Sequence, residues 1–185
     1  MANTPKDDAE LIERLHNPET RREAFGRVIK EYSEPLYWQI RRLVQNHDDA
    51  NDLLQNTFMK AWTSIDSFRG TAKLSTWLYK IAINESLTFI EKEKKRNSSS
   101  FDDEDDYILS NIEADEYFDG DEIQKKFRQA VGLLPEKQRI VFNMRYYDEM
   151  KYEQMSEILG TSVGALKASY HLAVKKIESY FKEND

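Results

Sequence analysis

The sequence predicts an all-α chain of two small helical domains joined by an acidic linker, the second domain carrying a helix-turn-helix. Three observations carry that prediction. No β-type alternation is sustained anywhere in the 185 residues, whereas apolar residues recur at three- and four-residue steps over most of them. Six Gly and four Pro argue against a β-sandwich or a collagen-like chain. Charge, finally, is segregated: residues 1–19 carry net −3, residues 20–96 net +4, residues 97–122 net −11 and residues 123–185 net +3. The whole-chain value of −7 taken alone argues against nucleic-acid binding. Taken segment by segment, it describes two basic lobes separated by one acidic strap.

Residues 1–19 read as an N-terminal tail. In the first lobe, residues 20–96, Phe25, Val28, Ile29, Tyr32, Leu36, Ile40, Leu43 and Val44 keep the helical period. Ser33 and Pro35 in its middle suit a restart or a kink. A second helix is expected from Asp48 or Asp49 as N-cap, with Ala50, Leu53, Leu54, Phe58, Ala61 and Trp62 as its apolar arc. A loop around Gly70 follows. A third helix runs from Ser75 or Thr76 to about Arg96 and is apolar on more than one side, so it is central in a core or has a second surface to cover. Residues 97–122 hold 11 Asp/Glu and no Lys or Arg. Such repulsion with little apolar surface predicts a flexible linker, although Tyr107, Ile108, Leu109, Ile112, Tyr117 and Phe118 are the kind of residues that dock on a partner. In the second lobe, residues 123–185, Asp121 serves as the entry N-cap and Leu134-Pro135 as a break. Gly160 is placed as a C-terminal cap. Ser162 caps a last helix with the stripe Val163, Leu166, Tyr170, Ala173, Val174 and Ile177.

Several classes are disfavoured. There is no Cys, hence no disulfide scaffold, thiolate zinc site or cysteine nucleophile. No run approaches the ~18 apolar residues of a membrane span. The N-terminus has no apolar signal core, so the chain is expected to stay in the cytoplasm without membrane insertion. His16, His47 and His171 are isolated in sequence. There is no Gly-rich phosphate loop or zinc-type His-Glu-x-x-His spacing. No catalytic residues, cofactor or metal are expected, and the chain is not expected to be an enzyme.

Three motifs remain. YEQMSEILGTSVGALKASYHLAVKKI, 152–177, has the pattern of a helix-turn-helix, in which the second helix enters the major groove N-terminus first. An ordinary helical hairpin with a basic face has the same local pattern. Off its buried stripe lie Ala165, Lys167, Ala168, Ser169, His171 and Leu172, placed for base edges; Lys175 and Lys176 suit phosphates. HDDANDLLQNTFMKAW, 47–62, sets Asp52, Gln55 and Met59 at i, i+3 and i+7, either a protein-contact face or a solvated side. SFRGTAKLSTWLYKIAINESLTFIEKEKKR, 67–96, interleaves Trp77, Tyr79 and Phe89 with Arg69, Lys73, Lys80, Lys92, Lys94, Lys95 and Arg96. Rings that stack bases beside cations that hold phosphates suit a single strand, and Asn84 could hydrogen-bond an unpaired base. The same aromatics could equally be core, as Trp77 is expected to be.

Together and in this order, the three segments resemble the sigma subunits of bacterial RNA polymerase, most closely the small extracytoplasmic-function (ECF) branch. DDANDLLQNTFMKAW resembles the core-polymerase-binding helix, FRG with STWLYKIAIN the segment that opens and reads the minus-ten element, and LPEKQRIVFNMRYY with the helix-turn-helix the domain that reads the minus-thirty-five element. The resemblance implies a subunit that binds core polymerase and promoter DNA and is held by an anti-sigma factor. Implied for core binding are Asp52, Gln55, Phe58 and Met59. Implied for the minus-ten element are Arg69, Lys73, Lys80, Asn84 and Lys92, with loop 67–75 capturing a flipped base. Implied for the minus-thirty-five element are Lys167, Ala168, Ser169, His171, Leu172 and Lys175. Asn51 and Asn56 stand where the family usually has acids, and Thr88 and Glu91 where Asp and a basic residue are common. Ala168, Ser169 and Leu172 lie in a helix that usually has more Arg. These departures leave the class intact and bear on the promoter sequence read. At full extension the 26-residue linker spans roughly 90 Å, enough for two turns of DNA at ~34 Å each. In related proteins it threads the polymerase cleft, where 11 acids would imitate RNA phosphates; without polymerase it is expected to fold back on the basic lobes. The rival reading is a helix-turn-helix regulator that binds duplex DNA without polymerase.

Overall fold

The computed structural model describes residues 5–97, 104–113, 115 and 120–184. Among them there is no strand. The elements are α1 (Pro5–His16), α2 (Arg21–Val44), α3 (His47–Ser64), a single 3-10 turn (Ile65–Ser67), α4 (Leu74–Asn97), α5 (Glu104–Glu113), α6 (Glu122–Gly132), α7 (Glu136–Tyr146), α8 (Tyr152–Leu159) and α9 (Val163–Glu183). No helix among the described residues is long and apolar enough to cross a membrane.

The first lobe is α2, α3 and α4 packed around Leu36, Ile40, Leu53, Leu78 and Ala82. α2 runs unbroken through Pro35, with no restart. Pro35 is exposed, so the one backbone bond its ring removes falls on the solvent side, while Tyr32 and Leu36 on either side stay buried. The Ser33 hydroxyl donates back to the Ile29 carbonyl at 2.6 Å. α3 begins two residues before the expected position. Its N-cap is Asn46, whose side chain accepts from the Asp49 N–H at 3.0 Å, so Asp48 and Asp49 occupy the first turn, where the helix dipole favours acids. Gln39, on the inner face of α2, is fully buried, and neither of its side-chain polar atoms has a hydrogen-bond partner. An unpaired buried amide costs about 1–3 kcal/mol, and an apolar residue of similar shape removes that cost. Gln39→Leu is therefore expected to raise stability by about that much in urea unfolding; a loss of stability would contradict it.

Two segments carry helices that the sequence reading did not place. The N-terminal 1–19 segment contains a docked helix, α1, with Leu11 and Leu15 essentially fully buried. Each buried Leu contributes about 1.5–3 kcal/mol, enough to order a short helix. The acidic strap carries α5, which packs on α6 and buries Ile112. Tyr117 and Phe118 lie outside the described residues, and of Tyr107 and Ile108 only the backbone is described.

The second lobe is α6 to α9, with a core of Ala130, Val131, Leu134, Phe142, Ala173 and Ile177. Asp121 caps α6 by accepting from the Gln124 N–H at 2.8 Å. Ile123, in the first turn of α6, is 69% exposed at the edge of the second lobe. The lobes are not separate. Ile140, Met144, Met155, Ile158 and Leu166 join the same apolar cluster as Leu36 and Leu78, because α4 packs against α8 and α2 against α7. The second apolar side of α4, including Ile83 and Ile90, is thereby covered.

Polar contacts reinforce this closure. Arg42 pairs with Asp148 at 2.7 Å and lies 4.4 Å over the Tyr147 ring. Burial raises the Asp148 pKa above the usual carboxylate value despite that arginine. The Asp115 carboxylate, nearly buried, sits between Arg41 of α2 and Arg128 of α6, the latter at 2.8 Å. Arg128 also donates to the Gln45 side chain at 3.0 Å. A cavity of about 700 Å³ remains between the lobes, walled in part by Trp38, Phe127 and Tyr146.

Candidate nucleic-acid interface

α8, the turn at 160–162 and α9 form the helix-turn-helix. Gly160 ends α8 at φ 63°, where a side chain would be strained, and its N–H donates to the Ser156 carbonyl. Ser162 caps α9 by accepting from the Ala165 N–H at 3.3 Å. Leu166, Ala173 and Ile177 are buried, with Val163, Tyr170 and Val174 half-buried beside them. Rings stack beneath the helix: Tyr170 on Phe142 at 5.7 Å and Phe142 on Tyr146 at 5.1 Å. This leaves Lys167, Ala168, His171, Leu172 and Lys175 exposed along one side, with Ser169 half-buried at its edge. The Lys167 ammonium lies 5.7 Å from the centre of the Tyr152 ring on α8, which steadies it beside this exposed side. Leu172, 49% exposed, offers the apolar contact that a thymine methyl takes.

On α3, Asp52, Gln55 and Met59 share an exposed face, and Met59 is 65% exposed. Phe58 does not join them. It is 8% exposed and meets Phe25 edge-on at 6.3 Å, so it supports the helix from beneath. Phe58, implied above for core binding, thus lies with the apolar arc and not on that exposed face. Sequence reasoning missed Trp62 as a surface residue. It is 41% exposed, held edge-on by Phe25 at 5.1 Å, and extends the stripe by three positions from Met59. The signal was present, since 52, 55, 59 and 62 follow helical spacing. Burial, with help from Glu93, Asp52 and Asp48, raises the pKa of Asp49 at the start of this helix.

Within 67–96, Arg69, Lys73, Lys80, Asn84 and Lys92 are all exposed. Lys80 and Asn84, four residues apart, share one face of α4; Thr88 continues it, its hydroxyl donating to the Asn84 carbonyl at 2.8 Å. The aromatics are the core side of this segment. Trp77 stacks on buried Phe68 at 4.7 Å, Phe89 packs on the core, and Tyr79 is buried at the junction with the second lobe. Burial raises the Tyr79 pKa, with Asp148 adding to it. Of the cationic run, Lys94 lies 3.7 Å from Glu136 of α7 and Arg96 pairs with Glu93 at 2.6 Å.

The three histidines are not brought together. His16 bonds the Ile12 carbonyl at 2.8 Å, His47 links the Tyr37 hydroxyl and the Asn51 amide, and His171 is exposed on α9. Among the described residues no group of three His, Asp or Glu side chains converges on a metal-sized site.

Comparison with known proteins gives two family matches: Sigma-70 region 2 over residues 28–96 and Sigma-70 region 4 over residues 124–177. The chain is 32% identical over 157 residues to the ECF RNA polymerase sigma factor SigW of Bacillus subtilis, covering 80% of this chain and 84% of that one. It is 29% identical over 183 residues to the RNA polymerase sigma-H factor of Pseudomonas aeruginosa, covering 95% and 94%. Among solved structures, the fold is shared with CnrH in complex with the cytosolic domain of CnrY, at TM-score 0.70 and 18% identity over 96% of this chain and 99% of that one. It is also shared with the Bartonella quintana sigma factor RpoE in complex with the anti-sigma factor NepR, at TM-score 0.63 and 24% identity over 85% and 96%.

Proposed function

Because the chain belongs to the ECF sigma factors of bacterial RNA polymerase, a non-enzymatic subunit that directs promoter-specific transcription initiation, we propose a division of its work among three exposed faces. α9 reads the minus-thirty-five element in the major groove through Lys167, Ala168, Ser169, His171 and Leu172, with Lys175 on phosphate. The 67–96 segment opens the minus-ten element and holds the freed strand through Arg69, Lys73, Lys80, Asn84 and Lys92. The face of α3 bearing Asp52, Gln55 and Met59, extended by Trp62, docks on core polymerase. An anti-sigma factor is a further partner; two proteins of this fold were crystallised with such partners or with a cytosolic domain.

The observation that carries the reading is the exposed side of α9, held clear of the core by Leu166, Ala173 and Ile177. A regulator acting without polymerase would have no use for residues 28–96, which match region 2. Strand opening can be followed by permanganate reactivity of unpaired thymines on a transcribed promoter. Asn84→Ala is expected to reduce opening about tenfold, the worth of one good hydrogen bond to an unpaired base, while minus-thirty-five duplex binding is unchanged. Equal loss in both assays would count against separate faces.

A further inference from the structure

Both lobes wall the cavity of about 700 Å³ between them. Trp38 and Arg41 line it from α2, Phe127 from α6, Asn143 and Tyr146 from α7, and Phe181 from α9. The volume falls within the ~300–1,000 Å³ of small-molecule sites. Neighbouring rings hold these walls in place. Trp38 meets Tyr37 edge-on at 5.2 Å, and Tyr146 packs on Phe127 at 5.6 Å and stacks on Phe142 at 5.1 Å. Trp38 is nevertheless 48% exposed and Tyr146 51% exposed, so both leave ring surface in water. Such surface gives a large return when a flat apolar partner covers it.

Two polar side chains of the same wall are buried and incompletely bonded. Arg41 is 6% exposed and shares the Asp115 carboxylate with Arg128, but its Nη1 has no hydrogen-bond partner. Asn143 is fully buried. Its Nδ2 donates to the Arg42 carbonyl at 3.5 Å, and its Oδ1 has no partner. Buried polar atoms are normally satisfied, because an unmade hydrogen bond there is costly, most of all for a charged group. The wall therefore combines aromatic surface with one cationic donor, contributed by the first lobe, and one neutral acceptor, contributed by the second. A carboxylate is the partner that a guanidinium bonds most strongly, and a hydroxyl satisfies an amide oxygen.

We propose that this cavity binds one small aromatic acid. Its ring system lies against the aromatic walls, its carboxylate accepts from Arg41, and a hydroxyl on the ring donates to the Asn143 Oδ1. Apolar and aromatic lining with a few polar groups that fix orientation is the usual make-up of such sites. Because the wall belongs to both lobes, parting them dismantles the site. A bound acid therefore favours the closed pairing, by as much as its affinity for the closed form exceeds that for the open one. The site needs neither polymerase nor DNA, so its failure would leave the division of work among the three exposed faces untouched.

The test is calorimetric titration of the full chain with 6-hydroxy-2-naphthoate as the probe. Saturable one-to-one binding is expected, with a Kd of about 1 mM or tighter for a ligand of this size. The analogue 2-naphthol, which lacks the carboxylate, is expected to bind about tenfold more weakly or worse. The analogue 2-naphthoate, which lacks the hydroxyl, should bind severalfold more weakly. Trp38→Ala removes a ring from the first lobe's wall. Gln124→Glu sets a negative charge beside the cavity from the second lobe, at an exposed position in the first turn of α6 where acids are tolerated. Each variant is expected to weaken the probe severalfold or more. With dyes on cysteines placed at exposed Glu34 and Glu178, energy transfer reports the urea concentration that parts the lobes. That concentration should rise when the probe is present at about ten times its Kd. No saturable binding at about 10 mM probe, equal binding of either analogue, either variant binding like the parent, or an unmoved urea midpoint would overturn the proposal.

Discussion

Asp115→Ala is expected to loosen the closed pairing of the two lobes by about 3 kcal/mol. The Asp115 side chain is 4% exposed and lies between Arg41, 8% exposed, and Arg128, 17% exposed. Without it two guanidinium groups from different lobes face each other in a nearly dry site, and one nitrogen of Arg41 already has no hydrogen-bond partner. Breaking a buried pair on one side costs about 3–5 kcal/mol. The low end applies because opening the lobes returns both arginines to water. A shift of that size changes the open-to-closed ratio by roughly 150-fold. The absence of native cysteine makes the measurement simple: dyes on cysteines placed at exposed Glu34 and Glu178 report the distance between lobes by energy transfer. The variant should show a longer, broader distance distribution, and Asp115→Asn, which keeps an acceptor oxygen, a smaller change. Identical distributions for Asp115→Ala and the parent would remove the clasp from the account. Under the proposed division of work closure bears on function, because two promoter elements about two DNA turns apart, at ~34 Å per turn, would require α4 and α8 to part.

Lys167→Ala carries the second large effect. Lys167 stands in the first turns of α9, exposed, with its ammonium steadied over the Tyr152 ring. The N-terminal turns of a recognition helix are those that reach base edges. A lysine donating to guanine contributes about 1–3 kcal/mol of discrimination at one base pair. The substitution is therefore expected to relax preference at one position of the minus-thirty-five element and leave the others as they were, measured by competitive binding to all single-base variants. Tyr152→Ala, which frees the lysine without removing it, should produce a weaker form of the same relaxation. A uniform loss across all sequences, with a shallower salt dependence, would make Lys167 a phosphate contact.

Helix ends and buried stripes were legible where local chemistry decides them. Ser162 and Asp121 cap as their side chains dictate, and Gly160 takes the left-handed conformation that its position demanded. The exposed faces of α4 and α9 followed from period alone. Less legible was anything depending on distant partners. α1 has only Leu11, Ile12 and Leu15 amid charges, too short a pattern to announce a docked helix until its neighbours are known. The pairing of Asp115 with Arg41 spans 74 positions, so no local signal records it, and dense like charge pointed to a free strap. Phe58 was assigned both to the apolar arc and to the docking face; its side chain packs inward, where Phe25 lies opposite it. The two-sided apolarity of α4 did signal a second surface, and α8 supplies it.

The most direct test of the central claim is run-off transcription with core polymerase on a promoter library, with core binding measured alongside. The chain is expected to bind core and to yield products from a defined subset of promoters, with Met59→Ala lowering core affinity and Lys167→Ala broadening the subset. No promoter-dependent product, together with no core binding, would contradict it.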